Sequence, residues 1–303
     1  MVIEKVAIVG MGALGMLYGE AVVKACGSGA LRFVMDKKRY QRHKNDVYKI
    51  NGVAQNFILA SADEVGQADL VIVATKYSGL AEALDEMEAL VGPDTVVFSV
   101  LNGITSEEKI IERFGDRNVL YCVALGMDAV RKGTELTYEH QGMLKIGCLE
   151  EKQRPALEAA CAFLSRIGVS YSVEKDIKRA LWAKLLLNVG INQTCMVYET
   201  SYGGALSGSE SSKSMLAAMN EVIDVAVAEG VHLTKEDVSD SVSILSKLAY
   251  DGLPSMRQDA LAKRPSEVEL FAGTVLRLAE KHGIAVPVNK RYYEKIKEIE
   301  AGY

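Results

Sequence analysis

The chain lacks a cysteine framework. Its five cysteines, at positions 26, 122, 148, 161 and 195, are odd in number and include no CxxC pair. That excludes a disulfide-stapled fold and a thioredoxin-type redox motif, and reads as free thiols of a reducing compartment. Histidine is equally scarce: His43, His140, His232 and His282 are scattered without ligand-spaced companions, so no zinc site is expected. An excess of cations is missing too. The formal net charge is -5, which argues against a nucleic-acid partner because the phosphates would go unneutralised. The basic cluster Lys37, Lys38, Arg39, Arg42, His43 and Lys44 is short and local. No apolar run approaches the length of a membrane span, and no basic leader precedes the first strand pattern, so a cytoplasmic protein with no membrane partner is expected.

What is present describes an ordinary globular chain. With 303 residues, 49% apolar and 25% charged, it is long enough for two domains or one large α/β domain. Residues 3–9 (IEKVAIV) read as a buried strand. Gly10-Met11-Gly12-Ala13-Leu14-Gly15 follows at once and opens a helix running to about Lys24. This is GxGxxG between a strand and a helix, the context in which it binds a dinucleotide. Gly10 permits the turn, Gly12 admits the pyrophosphate, Gly15 allows close packing, and the helix start offers free N–H groups.

A second strand, Leu31 to Met35, ends at Asp36. An acid there hydrogen-bonds the adenosine ribose of NAD, whereas Lys37, Lys38 and Arg39 just beyond would suit the 2′-phosphate of NADP; the residues leave both cofactors open. Two more strands, 69–74 and 95–100, run into Thr75-Lys76 and Leu101-Asn102-Gly103. Strand C-termini of open parallel sheets present ligands, so Lys76 and Asn102 read as ligand contacts, against the plainer roles of surface lysine and turn cap. Residues 119–150 read as further sheet, 153–167 as a helix and 169–173 as a short strand.

From Asp176 onward strand patterns give way to helical ones, at 176–197, 213–229, 234–248 and 266–283, with Ser201 to Ser214 as a polar, flexible connection. The fold class is therefore α/β, with a Rossmann-type dinucleotide-binding domain at 1–174 and an all-helical substrate and catalytic domain at 175–303. An active site in the cleft between them is the expectation. Within the first of these helices, Lys184, Asn188 and Asn192 stand four residues apart in WAKLLLNVGIN. That spacing puts three polar side chains on one face of an otherwise buried helix, drifting by only ~40° per step. An unpaired buried polar group costs about 1–3 kcal/mol, so the stripe needs internal partners or a polar ligand. Pairing with neighbouring helix ends is the plainer account; a cleft wall holding an oxygen-rich small molecule, with Lys184 at its carbonyl, fits better. A second polar set lies between Leu253 and Gly273. Ser255 opens a turn into a helix there, and Ser266-Glu267 resembles an N-cap with a first-turn acid.

These pieces together resemble the ketopantoate reductase (2-dehydropantoate 2-reductase) family, whose C-terminal domain is of the 6-phosphogluconate-dehydrogenase-like superfamily. The resemblance is carried by GMGALG, TK at 75–76, LNG at 101–103, KLLLNVGIN at 184–192, SMRQD at 255–259, RPSEVELFAG at 264–273 and HGIAVP at 282–287. It implies NADPH-dependent reduction of a 2-oxo acid bearing a 4-hydroxyl, in pantothenate biosynthesis. By the same resemblance Lys184 is the general acid and Glu267 its acidic partner. Ser255, Asn188 and Asn192 bind substrate, and Asn102 and Lys76 lie where cofactor and substrate meet. Gly10, Gly12, Ala13, Leu14 and Gly15 would cradle the cofactor, with Asp36 and Lys37 at its ribose end. Many relatives carry a basic residue near Asp36, so NAD stays beside NADP as cofactor. Two alternatives stand next to this reading: a related NAD(P)-dependent dehydrogenase of another 2-oxo or 3-hydroxy acid, and a non-catalytic nucleotide-binding or interaction protein. Apolar helices in the second half offer surfaces for a homodimer.

Overall fold

A computed structural model describes residues 1–303. The chain forms two compact units, Met1–Asn102 with Ser106–Ile177, and Gly103–Thr105 with Lys178–Tyr303. No helix is long and apolar enough to cross a membrane, and all five cysteines are free.

The first unit is a doubly wound sheet. Its strand β1 (Val6–Val9) is wholly buried and shorter than the 3–9 run, because the N–H groups of Glu4 and Lys5 bond the Asp69 carboxylate instead of a neighbouring strand. After α1 (Ala13–Cys26) the chain returns through β2 (Leu31–Met35), α2 (Lys37–His43) and a small hairpin, β3 (Lys49–Ile50) and β4 (Val53–Ala54). Strand β5 (Leu59–Ser61) closes that edge; β6 (Leu70–Val73), α3 (Leu80–Met87), β7 (Val96–Ser99) and α4 (Ser106–Phe114) build the other side. Then come β8 (Val119–Leu125), the hairpin β9 (Val130–Lys132) and β10 (Glu135–Thr137), β11 (Met143–Gly147), α5 (Arg154–Arg166) and β12 (Tyr171–Val173). The main sheet has the order β12-β11-β8-β7-β6-β1-β2-β5, and the two hairpins make a separate four-stranded sheet, β4-β3-β10-β9.

Parallel pairing holds from β5 through to β8, whereas β11 runs antiparallel to β8. Strands covered on both faces read as continuous apolar runs. Here Ile8, Phe33, Ile72 and Phe98 face a core shared with α1 and α5, while Val9, Val34, Val73 and Val97 face one shared with α3 and α4. Since β1 lies between β2 and β6, the winding reverses beside it, and the crevice at such a reversal is where open sheets bind ligands.

The second unit is helical: α6 (Ile177–Val197, which begins at the last residue of the first unit), α7 (Tyr202–Ala205), α8 (Glu210–Ala228), α9 (Lys235–Leu245), α10 (Ser255–Leu261), α11 (Thr274–His282) and α12 (Pro287–Ala301). Two sequence expectations are corrected here. Ser201 to Ser214 is not a loose connection: Ser201 caps α7 through Gly204 N–H, and Ser212 Oγ holds Ala205 O at 2.7 Å. The run 266–283 is not one α-helix either, since Glu269–Gly273 forms a π-turn before α11 begins. Helix α12, with Pro287 at its first turn, was not foreseen.

Candidate active site

In the first unit the glycine turn sits against the end of β6. Gly10 has φ +103, and a Cβ there would meet the Ala74 carbonyl carbon at 2.5 Å; one on Gly15 would meet Gly10 O at 2.2 Å. Both glycines are therefore demanded by the fold. Gly12 differs, because its Cβ would meet only Ala74 O, at 3.4 Å. The fold alone has little need of a glycine at 12; a ligand backed onto the turn does. Ala13 and Leu14 occupy the first turn of α1, whose N-cap Gly12 provides no side-chain cap for the free N–H groups. Beside the turn, Thr75 Oγ1 is buried and has no hydrogen-bond partner. A buried orphan hydroxyl is rare in a native interior, and one at a strand C-terminus next to a glycine turn fits a dinucleotide.

The sequence places the ribose contacts just past β2, at Asp36 and Lys37. Asp36 is the N-cap of α2: its Oδ1 accepts from Lys38 N at 2.8 Å and Arg39 N at 3.0 Å. Lys37 is exposed and lies 3.8 Å from Asp63. Glu86, buried beneath, accepts Asp36 N–H at 2.9 Å and lies 3.8 Å from Arg39. Burial pushes the Glu86 carboxyl above its usual range. Lys76 is exposed just beyond β6, and Asn102 is half-buried just beyond β7.

In the second unit α6 carries the stripe. Lys184 is half-buried, Asn188 8% exposed and Asn192 5% exposed. Asn192 Oδ1 accepts from Ser255 Oγ at 3.0 Å and from Met256 N at 3.2 Å, and its Nδ2 donates to Asn188 Oδ1 at 3.3 Å. One asparagine thus joins the stripe to the start of α10, bringing together three of the residues expected to bind substrate. Glu267 stands at the turn before the π-segment, half-buried, with its carbonyl accepting from Leu270 N and Phe271 N. Ser266 Oγ accepts Val268 N–H at 3.3 Å, the cap expected of it.

The same helix carries polar residues that sequence reasoning passed over. Gln193 is fully buried, its Oε1 accepting from Ala272 N at 3.0 Å and its Nε2 donating to Asn289 Oδ1 at 3.3 Å. Thr194 meets Tyr292 Oη at 2.7 Å. Both tie α6 to the C-terminal helices, and the available signal was their polarity in an otherwise apolar run. His140, read as isolated, does lie with Asp128 and Glu139 at the surface. The grouping arises because Asp128 Oδ1 accepts the backbone N–H groups of Glu139 and His140.

Comparison with known proteins identifies the family. Residues 6–151 match the family model "Ketopantoate reductase PanE/ApbA", and residues 176–300 match its C-terminal counterpart. The chain is 24% identical over 306 residues to the 2-dehydropantoate 2-reductase of Streptococcus pyogenes serotype M6, covering 98% of each. To that of Vibrio cholerae serotype O1 it is 27% identical over 245 residues, 80% of this chain and 81% of the relative. Among solved structures it is similar to D-mandelate dehydrogenase with NADH and anilino(oxo)acetate, at a TM-score of 0.88 and 24% identity over 98% of this chain and 99% of that one. The chain belongs to the ketopantoate reductase family.

Proposed function

We propose that the protein reduces 2-dehydropantoate to pantoate with NADPH. The observation that carries this reading is the Asn192 junction. In a chain of this family, the residue that closes the Lys184–Asn188–Asn192 stripe also fixes Ser255. When bound, the reduced nicotinamide supplies the hydride for C2 of the ketone. Lys184 Nζ donates the proton to the oxygen of that ketone as negative charge develops there, so one hydride and one proton complete the alcohol. Asn188 and Ser255 hold the substrate's carboxylate and hydroxyl oxygens, with Asn192 keeping both in place. Glu267 holds the ammonium or the 4-hydroxyl. Asn102 and Lys76 contact cofactor and substrate from the sheet edge, and the glycine turn holds the pyrophosphate. Buried amides that need a partner reject analogues lacking the matching oxygen.

The test is NADPH oxidation with 2-dehydropantoate beside a panel of 2-oxo acids. Lys184→Ala is expected to lower kcat by at least ~100-fold while dinucleotide still binds; near-normal turnover would sink the general-acid role. A second reading, an NADH-dependent reductase of an aryl 2-oxo acid, draws on Asp36 and on the likeness in fold to D-mandelate dehydrogenase. A preference for phenylglyoxylate and NADH in the same panel would favour it.

A further inference from the structure

Glu199 breaks two local rules at once. It lies two residues past the end of α6, where Thr200 N–H reaches back five residues to Cys195 O at 3.0 Å and closes the helix. The closure puts Glu199 in the left-handed region, at φ +50, a place normally taken by glycine or asparagine. Its carboxylate also stands at the negative end of the helix dipole, where a cation is the favoured charge. Backbone held in such a conformation persists where the surrounding structure makes use of it. Across from Glu199 stands Arg257 of α10, whose Nη2 donates to Glu199 Oε2 at 3.1 Å. The Arg257 side chain is 15% exposed and that of Glu199 74%. A guanidinium so covered needs an acid partner, and Glu199 is the acid it pairs with. Asp259, on the same helix as Arg257, pairs with Arg264 at 2.9 Å.

Two residues before Arg257 comes Ser255, whose Oγ bonds Asn192 together with the N–H of the buried Met256. The short helix α10 is therefore tied to α6 at two places, Asn192 and, about two turns further on, Glu199. We infer that Glu199 and Arg257 are positioning residues for the reaction: their ion pair holds the start of α10 against the end of α6 and so keeps Ser255 on Asn192. A hydroxyl fixed before the substrate arrives need not be ordered at the moment of binding, which leaves more of the contact's energy for affinity. This rests on the reading that Ser255 holds a substrate oxygen.

Glu199→Gly in the full chain separates this role from a structural one. Glycine takes φ +50 without strain and leaves no charge at the helix end, so the thermal midpoint is expected to match or exceed that of wild type. KM for 2-dehydropantoate should nevertheless rise about three-fold, the scale of one partly exposed ion pair, with kcat unchanged. Deuterium exchange at Met256 N–H, measured without substrate, should quicken by a similar factor. Arg257→Met keeps the apolar stem and should repeat both changes, and the double variant should add nothing to either single one. Wild-type KM and wild-type exchange in Glu199→Gly would overturn the inference, as would effects that add in the double variant. If the wild type leaves 2-dehydropantoate unreduced, the proposed reaction fails and the exchange at Met256 tests the tether by itself: faster exchange in Glu199→Gly supports it, and equal exchange overturns it.

Discussion

Asn188 and Asn192 look equivalent in sequence, yet their amides are used differently. Both ends of the Asn192 amide are engaged by protein, Oδ1 by Ser255 and Met256 and Nδ2 by Asn188. Asn188 accepts that one bond, and its own Nδ2 donates to no protein acceptor. On the proposed reading Asn188 therefore donates to a substrate oxygen, and Asn192 sets its orientation. Substitution should separate the two. Asn188→Ala is expected to raise KM for the 2-oxo acid about ten-fold, the scale of a lost hydrogen bond to a charged group, and to cost less stability than the Asn192 change, since only Asn192 Nδ2 loses its acceptor. Asn192→Ala leaves Met256 N–H without an acceptor in the interior and should cost about 1–3 kcal/mol in urea denaturation as well. An Asn192→Ala protein as stable as wild type would contradict the junction.

At the scale of elements, one side chain sets the shape of the segment after Glu267. Ala272 N–H donates to Gln193 Oε1, and Gly273 N–H reaches back five residues to Val268 O at 2.9 Å. Diverting one N–H from the helical ladder admits an extra residue, which is what a π-turn is. The turn shifts Glu267 by about one residue of helical rotation relative to α11. Gln193→Leu should leave Ala272 N–H and Asn289 Oδ1 unpaired and lower stability by about 2–3 kcal/mol; a denaturation midpoint equal to that of wild type would show that the turn forms without the glutamine.

This also marks where the sequence could be read and where it could not. The glycine turn, the buried strands and the stripe on α6 were legible because each signal is local: a periodicity, or a residue type at fixed spacing. Asp36 as a helix cap, Arg257 on Glu199 and Gln193 beneath the π-turn were not. In the last two the partner lies 58 and 79 positions away, so nothing local distinguishes the residue from its neighbours. Asp36 fits two local rules, ribose ligand and N-cap, and its Oδ1 serves the second by accepting from Lys38 N and Arg39 N.

For the whole molecule, the buried and exposed carboxyls set opposite pH dependences. Asp116, Asp128 and Glu229 are held below their usual range. The leading favourable causes are the Lys152 hydrogen bond for Asp116, backbone N–H groups for Asp128, and Lys281 with His282 for Glu229. A depressed carboxyl contributes stability above its unfolded pKa that is lost as pH falls through the folded value, so these groups weaken the protein only in acid. Glu107 runs the other way. It lies 1% exposed in the first turn of α4, and Ser106 Oγ donates to it at 2.8 Å. Burial pushes it up to about 7, against the hydrogen bonds from Ser106 and backbone N–H groups that favour the charged form. A raised carboxyl stabilises fully below its unfolded pKa, near 4.5, and that stability is lost as pH rises through about 7. At 1.36 kcal/mol per pKa unit the loss has a ceiling of about 3 kcal/mol. The thermal midpoint should therefore peak near pH 5 and fall by several degrees toward pH 8. Glu107→Gln removes the titrating proton while keeping the side chain's size. Its midpoint should match wild type at pH 5 more nearly than at pH 8, where it should be the higher of the two. Parallel pH profiles for the two proteins, measured by calorimetry, would mean that Glu107 is charged in the folded chain throughout this range.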